Sequence, residues 1–457
     1  MPRPQRLVLV VSILASFIAF LDGSIVNVAL PAIMRDLGGG LALQQWVVDA
    51  YLITLGALIL IAGSLSDLFG RKRVLQWGLI GFGAASLLCA LSPNGVFLVS
   101  ARALQGVAGA LLVPSSLALI MSSFPSSTQG KAVGQWTAWT GIAFIIGPLA
   151  GGLLVDSFSW RLIFAINLLP IIVTLYLLRL LRQPDREVAK TKIDFLGAAL
   201  GAIGLGALVY ALIEEGRYGW TSPMIYLPLL AGVLAFVAFL WHEHSSAHPM
   251  LPLELFKIRN FGIGNIATAA IYAALSVSSF LVIVFLQQVE GYSAITAGLA
   301  LLPVTIIMFL LSPRIGALST KYGPRFFMAV GPLIAAAGFL YMLRVQTPVD
   351  YLVQLLPGVL LFGLGLSVTV SPLTSAILGS IDSRQAGIGS AINNAVARIA
   401  GLIAVATIGI ITGSVITLIS FRKGVILMVI LLVMGGLVSA AGIQNNHDLK
   451  SGRQRVV

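Results

Sequence analysis

The sequence predicts an all-α polytopic membrane protein, built from two six-helix bundles with two extra transmembrane helices between them. Composition is the first observation, since 58% of the 457 residues are hydrophobic and only 10% are charged. A soluble domain carries about 25% charged residues, so this chain is expected to lie mainly in lipid. The second observation is a series of fourteen long apolar runs, and the third is a short basic motif that occurs twice.

The apolar runs are the predicted transmembrane helices, because each is long enough to cross a hydrocarbon core of ~30 Å at about 1.5 Å per residue. The first run continues past Asp22 without a small-residue cleavage site, so we interpret it as a retained helix rather than a signal peptide. In chain order the runs cover residues 7–30, 45–64, 74–92, 97–121, 133–154, 160–181, 195–213, 224–242, 261–288, 296–313, 326–343, 351–378, 386–416 and 425–442.

The repeated motif lies in the basic loop after the second run and in the loop after the tenth. The first copy, GSLSDLFGRKRV, covers residues 63–74, and the second, GALSTKYGPRFFM, begins 253 positions later at residue 316. Such an offset predicts a duplicated bundle with parallel repeats. A loop that serves only to set topology would not explain the recurring glycines. The matched positions are Gly63 with Gly316, Asp67 with Thr320, Gly70 with Gly323, and Arg71 with Pro324.

The repeat and the loop charges set the predicted organisation. If the chain alternates from a cytoplasmic N-terminus, twenty Lys and Arg residues fall inside and six outside, which places both termini in the cytoplasm. Three histidines near the linker would allow a metal site, but the Pro-containing context favours a surface linker and no metal. The predicted parts are an N-terminal six-helix bundle at 1–182, two inserted transmembrane helices at 194–243, a cytoplasmic linker at 244–260, a C-terminal six-helix bundle at 261–443 and a cytoplasmic tail at 444–457.

The formal net charge of +12 does not indicate nucleic acid here, because the cations lie in loops and suit anionic lipid headgroups. The single cysteine, Cys89, excludes a disulfide within the chain. The sequence has no phosphate-binding GxxxxGK[ST] loop, no G-x-S-x-G elbow and no HExxH motif. We therefore predict neither an ATP-driven pump nor an enzyme, and expect a monomer whose partners are small-molecule substrates, protons and membrane lipids.

Ionisable side chains inside a bilayer are costly, so each one is a candidate functional residue. Asp22 lies 15 residues into the first run, and Arg102 lies five residues into the fourth run from the other side. Both positions are ~8 Å below the outer surface, so we predict that the two side chains pair and couple proton movement to transport. The alternative is a structural role in which Asp22 contacts polar neighbours such as Ser24 and Asn27.

The remaining candidates line a predicted substrate cavity. Asp49 lies one turn from Trp46, a predicted interfacial aromatic residue, and is therefore expected to be shallower than Asp22. We assign Asp49, Gln105 and Asn27 to the cavity. Arg398 has two open interpretations, a buried structural ion or a contact to a lipid phosphate.

The fifth run contains GIAFIIGPLAGGLL at residues 141–154. Its small residues allow close approach of helix backbones, and its proline removes a helix hydrogen bond. The pattern is compatible with a rocking interface between bundles and with ordinary small-residue packing. The residues concerned are Gly141, Gly147, Pro148, Gly151 and Gly152.

Several of these motifs resemble those of the major facilitator superfamily. Residues 63–74 resemble its loop 2–3 signature, and LVSARALQGVAGA at 98–110 resembles its fourth-span motif. The pair Gly147-Pro148 with Gly151-Gly152 resembles the antiporter motif of its exporters. Further stretches resemble the fourteen-helix drug:proton antiporter branch: LDGSIVNVALPAI at 21–33, WRLIFAINLLP at 160–170, DFLG at 194–197 and FLQQVEGYSAITAGLALLP at 285–303.

The resemblance implies a major facilitator fold, a central cavity, alternating access and export driven by proton entry across the bacterial cytoplasmic membrane, with no cofactor. By position, it gives Asp22 and Arg102 a role in coupling, and the glycines and proline of the fifth run a role at the bundle interface. It places a cytoplasmic latch at Gly63, Asp67, Gly70 and Arg71.

The leading functional expectation is a proton-coupled exporter of amphipathic cationic or lipophilic small molecules, including drugs. The first alternative is a dedicated exporter of one metabolite, antibiotic or lipid. The second is a non-transporting membrane sensor, which is disfavoured because it would require neither the buried carboxylate nor the motif of the fifth run.

Overall fold

The structure is a computed structural model that describes residues 3–181, 194–246, 249–382, 385–413 and 415–445. These residues include 14 helices long and apolar enough to cross a membrane, each coinciding with one of the apolar runs. The prediction of an all-α protein with fourteen spans is therefore confirmed. The described chain forms two compact units, which we call unit 1 (Met1–Met250 with Ser293–Gly298) and unit 2 (Leu251–Tyr292 with Leu299–Val457).

Unit 1 contains the first eight spans, including the inserted pair. Within it, α2 packs mainly against α4, α3 against α4, and α1 against α6. The inserted helices α9 and α10 pack on each other, and α9 also packs on α2. The helices of this unit are α1 (Arg3–Leu37), α2 (Gly40–Phe69), α3 (Arg71–Ala90), α4 (Gly95–Ser123), α5 (Ser126–Gly141), α6 (Ala143–Ser157), α7 (Leu162–Ala165), α8 (Leu168–Leu180), α9 (Phe195–Tyr218) and α10 (Pro223–Ser245).

Side-chain hydrogen bonds hold the inserted helices α9 and α10 at two places. The Trp46 indole Nε1 donates to the Glu214 carboxylate at 2.8 Å, which ties α2 to the end of α9. His242 on α10 contacts Asp194, the residue before α9, with Nε2–Oδ1 2.9 Å. His242 therefore takes part in a helix–helix contact.

Unit 2 contains the remaining spans except the start of the tenth, which belongs to unit 1 up to Gly298. Its largest helix contacts are α14 with α15, α11 with α18 and α14 with α18. A 3₁₀ helix (Leu253–Lys257) precedes α11, and a π-helical turn (Tyr351–Leu355) leads into α15. The helices from here on are α11 (Arg259–Gln288), α12 (Ala294–Ala300), α13 (Leu302–Tyr322), α14 (Pro324–Met342), α15 (Leu356–Leu378), α16 (Ala386–Ala406), α17 (Ile408–Thr412) and α18 (Leu418–Gly442).

The duplicated motif forms the same turn in both units. Gly70 joins α2 to α3 with φ 92° and ψ 135°, and Gly323 joins α13 to α14 with φ 86° and ψ 153°. Positive φ at these values is accessible to glycine and strained for residues with a Cβ. The recurring glycine spacing thus reflects a one-residue helix–helix connection that occurs twice.

The last span begins earlier than its apolar run at 425–442. Arg422 and Lys423 precede that run and were expected in the connecting loop, but α18 begins at Leu418 and includes both. Their position on the outer side of the membrane stays a prediction. Thr417 caps this helix, and the Arg422 guanidinium donates to the Val345 carbonyl at 2.8 Å. Because of this cap, the helix begins seven residues before the start of the apolar run.

Candidate functional site

Asp22 is the centre of a buried polar network in unit 1. Its side chain is fully buried in the middle of α1 and accepts hydrogen bonds from three side chains. The distances are 2.6 Å from Arg102 Nη1, 2.9 Å from Gln105 Nε2 and 3.1 Å from Asn167 Nδ2. Hydrogen bonds of this kind stabilise the charged carboxylate. The predicted contact between Asp22 and Arg102 is present, and their role in coupling stays a prediction.

The guanidinium of Arg102 has further partners besides Asp22. Its Nε donates to the Val47 carbonyl at 2.9 Å, and its Nη1 also donates to Gln105 Oε1 at 2.6 Å. The guanidinium carbon lies 4.4 Å from the centroid of the Tyr51 ring, within range of a cation–π interaction. A buried ion pair is stable only when the remaining donors are also satisfied, and the carbonyl, amide and aromatic ring satisfy them here.

Two members of the network were missed by sequence reasoning. Ser86 on α3 accepts from Gln105 Nε2 at 2.9 Å, and Asn167, between α7 and α8, donates to Asp22. Both are fully buried. The available signal was a polar residue inside an otherwise apolar run, most visibly Asn167 in WRLIFAINLLP.

Asp49 on α2 is fully buried, and neither carboxylate oxygen has a hydrogen-bond partner among the described residues. It lies two residues from Val47 and two from Tyr51, both of which contact Arg102. The helix that carries it, α2, begins at Gly40, five residues before the predicted start. That Asp49 is shallower in the membrane than Asp22 stays a prediction.

The residues assigned to the substrate cavity have different surroundings. Gln105 belongs to the Asp22 network through both ends of its amide. Asn27 is half-buried, and the contact given for its side chain is 3.5 Å to the Gly23 carbonyl of its own helix. Contact of Asp49, Gln105 and Asn27 with substrate stays a prediction.

The glycines of the fifth span differ in their surroundings. A Cβ at Gly147 would clash with Ser24, and one at Gly151 would lie 2.6 Å from Ile25 Cγ1, so both allow close packing on α1. A Cβ at Gly152 would clash with the backbone of Ile295, also in unit 1. A Cβ at Gly141 would meet no atom within 4 Å among the described residues, so close packing there is not observed and its place at the bundle interface stays a prediction.

The same span is interrupted at Ile142, six residues before Pro148, where α5 ends and α6 begins. Pro148 itself lies inside α6. At the end of α6, the Asp156 carboxylate accepts from the backbone N–H groups of Ala294 and Ile295 at 2.9 and 2.8 Å. The predicted role of this span as a bundle interface stays a prediction.

The predicted latch is partly described. Gly70 forms the left-handed turn, and Arg71 is the first residue of α3. Ser66, within the motif, is buried and hydrogen-bonds Ser115 of α4 with an Oγ–Oγ distance of 2.7 Å. The surroundings of Gly63 and the side chain of Asp67 lie outside the described part, so a latch between Asp67 and Arg71 stays a prediction.

Fourteen apolar helices and a buried ion-pair network define a multi-pass membrane protein that keeps charge inside its spans. The sequence profile of the Major Facilitator Superfamily matches residues 12–405. The chain belongs to this family, and it is a transporter rather than an enzyme.

Several relatives of this chain are resistance proteins. The chain is 34% identical over 413 residues to multidrug resistance protein Stp of Mycobacterium tuberculosis, covering 90% of this chain and 76% of that protein. It is 35% identical over 416 residues to puromycin resistance protein pur8 of Streptomyces alboniger, covering 90% and 82%. The methylenomycin A resistance protein of Bacillus subtilis is 34% identical over 409 residues, with 88% and 87% covered.

Solved structures of transporters share the fold. A D-xylose–proton symporter superposes with a TM-score of 0.69 at 16% identity, covering 96% of this chain and 98% of that one. A peptide transporter crystallised with sulfate gives a TM-score of 0.68 at 15% identity, covering 97% and 96%. At these identities the likeness concerns the fold.

Proposed function

We propose that this protein exports amphipathic small molecules, drugs or antibiotics among them, in exchange for protons by alternating access. It would act in the bacterial cytoplasmic membrane, with both termini in the cytoplasm, as a monomer among lipids and without a cofactor. The resistance proteins among its relatives support the drug-exporter part of the proposal. The proton-coupling part of the proposal rests on one observation: of the two buried acids Asp22 and Asp49, only Asp22 has hydrogen-bond donors around its carboxylate among the described residues.

Asp22 is stabilised as an anion by three donors, whereas Asp49 has no hydrogen-bond partner among the described residues. A buried carboxylate without a partner is costly when ionised, and a proton or a cationic group removes that cost. Asp49 would therefore exchange a proton for the cationic part of a substrate. A proton on Asp22 would leave Arg102 uncompensated, which would change the relative free energies of the conformations.

The test is uphill efflux from proteoliposomes with an imposed pH gradient, measured for wild type, Asp22→Asn and Asp49→Asn, with substrate binding measured in parallel. We expect Asp22→Asn to abolish uphill efflux while binding remains, and Asp49→Asn to change which cations are accepted. Asp36→Asn is the matched control, because Asp36 forms an ion pair with Arg161 that is exposed. We expect this variant to export substrate at the wild-type rate. Wild-type efflux rates in Asp22→Asn would remove Asp22 from the coupling mechanism.

The second candidate is a dedicated exporter of one antibiotic or metabolite. Relatives named for resistance to one compound, puromycin or methylenomycin A, favour it. A panel of chemically unrelated compounds in the same vesicles separates the two, because a multidrug exporter moves several of them and a dedicated exporter moves one.

A further inference from the structure

Unit 1 pairs the cation Arg102 with an acid inside its spans, whereas the spans of unit 2 contain a cation and no acid. Its spans contain no aspartate or glutamate, while Arg398 lies inside one of them. Arg398 is half-buried on α16, and its Nε is buried without a hydrogen-bond partner among the described residues. Arg102 in unit 1 offers the comparison, since a carboxylate neutralises it at 2.6 Å. Arg398 has no acid in its own unit's spans that could do the same.

The depth of Arg398 separates it from lipid headgroups. It is the eleventh residue of the span Ile388–Thr412, so it lies ~15 Å from one end and ~21 Å from the other. Headgroup phosphates lie beyond the ends of a hydrocarbon core ~30 Å thick. Arginines that reach phosphates by snorkelling are found near helix ends. The position near the middle of the span therefore disfavours a lipid phosphate as the partner.

The surroundings of Arg398 are polar. Tyr272 lies on the neighbouring helix α11, and its backbone carbonyl oxygen is 3.8 Å from an ideal Cβ at Gly401 of α16. A Cβ at Gly401, one turn further along α16, would clash with Ser276, so the two helices pack closely at this level. Toward the start of α16, the Asn393 amide donates to Thr268 Oγ1 at 2.8 Å and to Asn265 Oδ1 at 3.1 Å. The contact between α11 and α16 thus includes several polar side chains, and Arg398 lies on α16 between Asn393 and Gly401.

We propose that Arg398, beside Tyr272, binds an anionic oxygen of the exported molecule, a carboxylate or a phenolate attached to an apolar body. The inference rests on the proposed export function and adds a substrate class to it. A planar guanidinium forms paired hydrogen bonds with a carboxylate, and the phenol of Tyr272 offers a further donor. A cation inside a membrane span without a counterion is costly, so a ligand that brings the counter-charge is favoured over a neutral one of the same shape.

The test compares two probes of equal shape, naphthalene-2-carboxylate and naphthalene-2-carboxamide, binding to the purified full-length protein in chloride buffer. The ratio of their dissociation constants is compared between proteins, so that partition of each probe into detergent cancels. Because a hydrogen bond to a charged group is worth more than one to a neutral group, we expect wild type to prefer the carboxylate by about tenfold or more. Arg398→Gln should lose this preference, and Arg398→Lys should keep part of it.

Arg422→Gln is the control, since it removes the same charge from the same unit near the start of α18 and should retain the wild-type ratio. If Arg398→Gln fails to fold, the wild-type ratio and Arg398→Lys still decide the question. Equal ratios in wild type and the Arg398 variants would overturn the anion site. Efflux of ethidium by wild-type vesicles under a pH gradient tests the proposed function separately. Ethidium efflux without a carboxylate preference contradicts only the anion site, and absence of efflux for every compound contradicts the export proposal.

Discussion

The ion pair between Asp22 and Arg102 makes a quantitative prediction about stability. Both side chains are almost completely buried, at 0% and 2% exposure, with Nη1 and Oδ2 2.6 Å apart. Breaking a buried pair by removing one partner typically destabilises a protein by ~3–5 kcal/mol, because the other charge is left uncompensated. We expect this loss for Arg102→Gln and for Asp22→Asn. The double variant should lose less free energy of unfolding than the two single variants lose together, because neither charge remains in it. We expect a coupling energy of at least ~2 kcal/mol between the two residues.

The assay is a double-mutant cycle measured by SDS titration in mixed micelles, followed through the fluorescence of the seven tryptophans. The matched control is the cycle of Asp36→Asn and Arg161→Gln, whose side chains are 46% and 37% exposed. Water and salt screen an exposed pair, so its coupling should be ~0–1 kcal/mol. A coupling energy for Asp22 and Arg102 no larger than that of the control pair would refute the account of the network as an electrostatic unit.

Three further predictions follow from the same contacts. Gly70→Val should impair transport strongly in a vesicle efflux assay, because it forces a β-branched residue into positive φ. Gly216→Val should not, because Gly216 lies at an exposed helical position where an added Cβ would meet no neighbouring side chain or helix within 4 Å. Asn167→Ala should lower the free energy of unfolding by ~1.5–3 kcal/mol through the lost hydrogen bond to a carboxylate, measured by the same titration. A cysteine at position 218 (Tyr218) should react with impermeant reagents from outside and one at position 188 (Val188) from inside, and the reverse pattern would contradict the predicted topology.

The spans and the repeated turn were predictable from sequence because both depend on local chemistry. Apolar length determines whether a helix crosses a bilayer, and a glycine with positive φ leaves a fixed spacing in the motif. The contact between Asp22 and Arg102 was predictable from helical rise alone, since two opposite charges at one depth have few other partners.

The rest of the network depends on side-chain packing between helices. Nothing local to Asn167 indicates that its amide meets Asp22, because the helix rotation that aims it is set by neighbouring spans. The start of α2 was misplaced for a different reason, since the helix begins at Gly40 with a glycine and an apolar first turn that hydropathy does not separate from the loop.

The measurement that tests the central claim most directly records proton and substrate movement together in sealed proteoliposomes that contain no other energy source. A pH-sensitive dye reports the internal pH while a transported compound is added on one side. The proton-exchange account predicts that the compound drives protons in the opposite direction, and that Asp22→Asn loses this movement. Transport of the compound by wild-type protein with no accompanying change in internal pH would contradict the account.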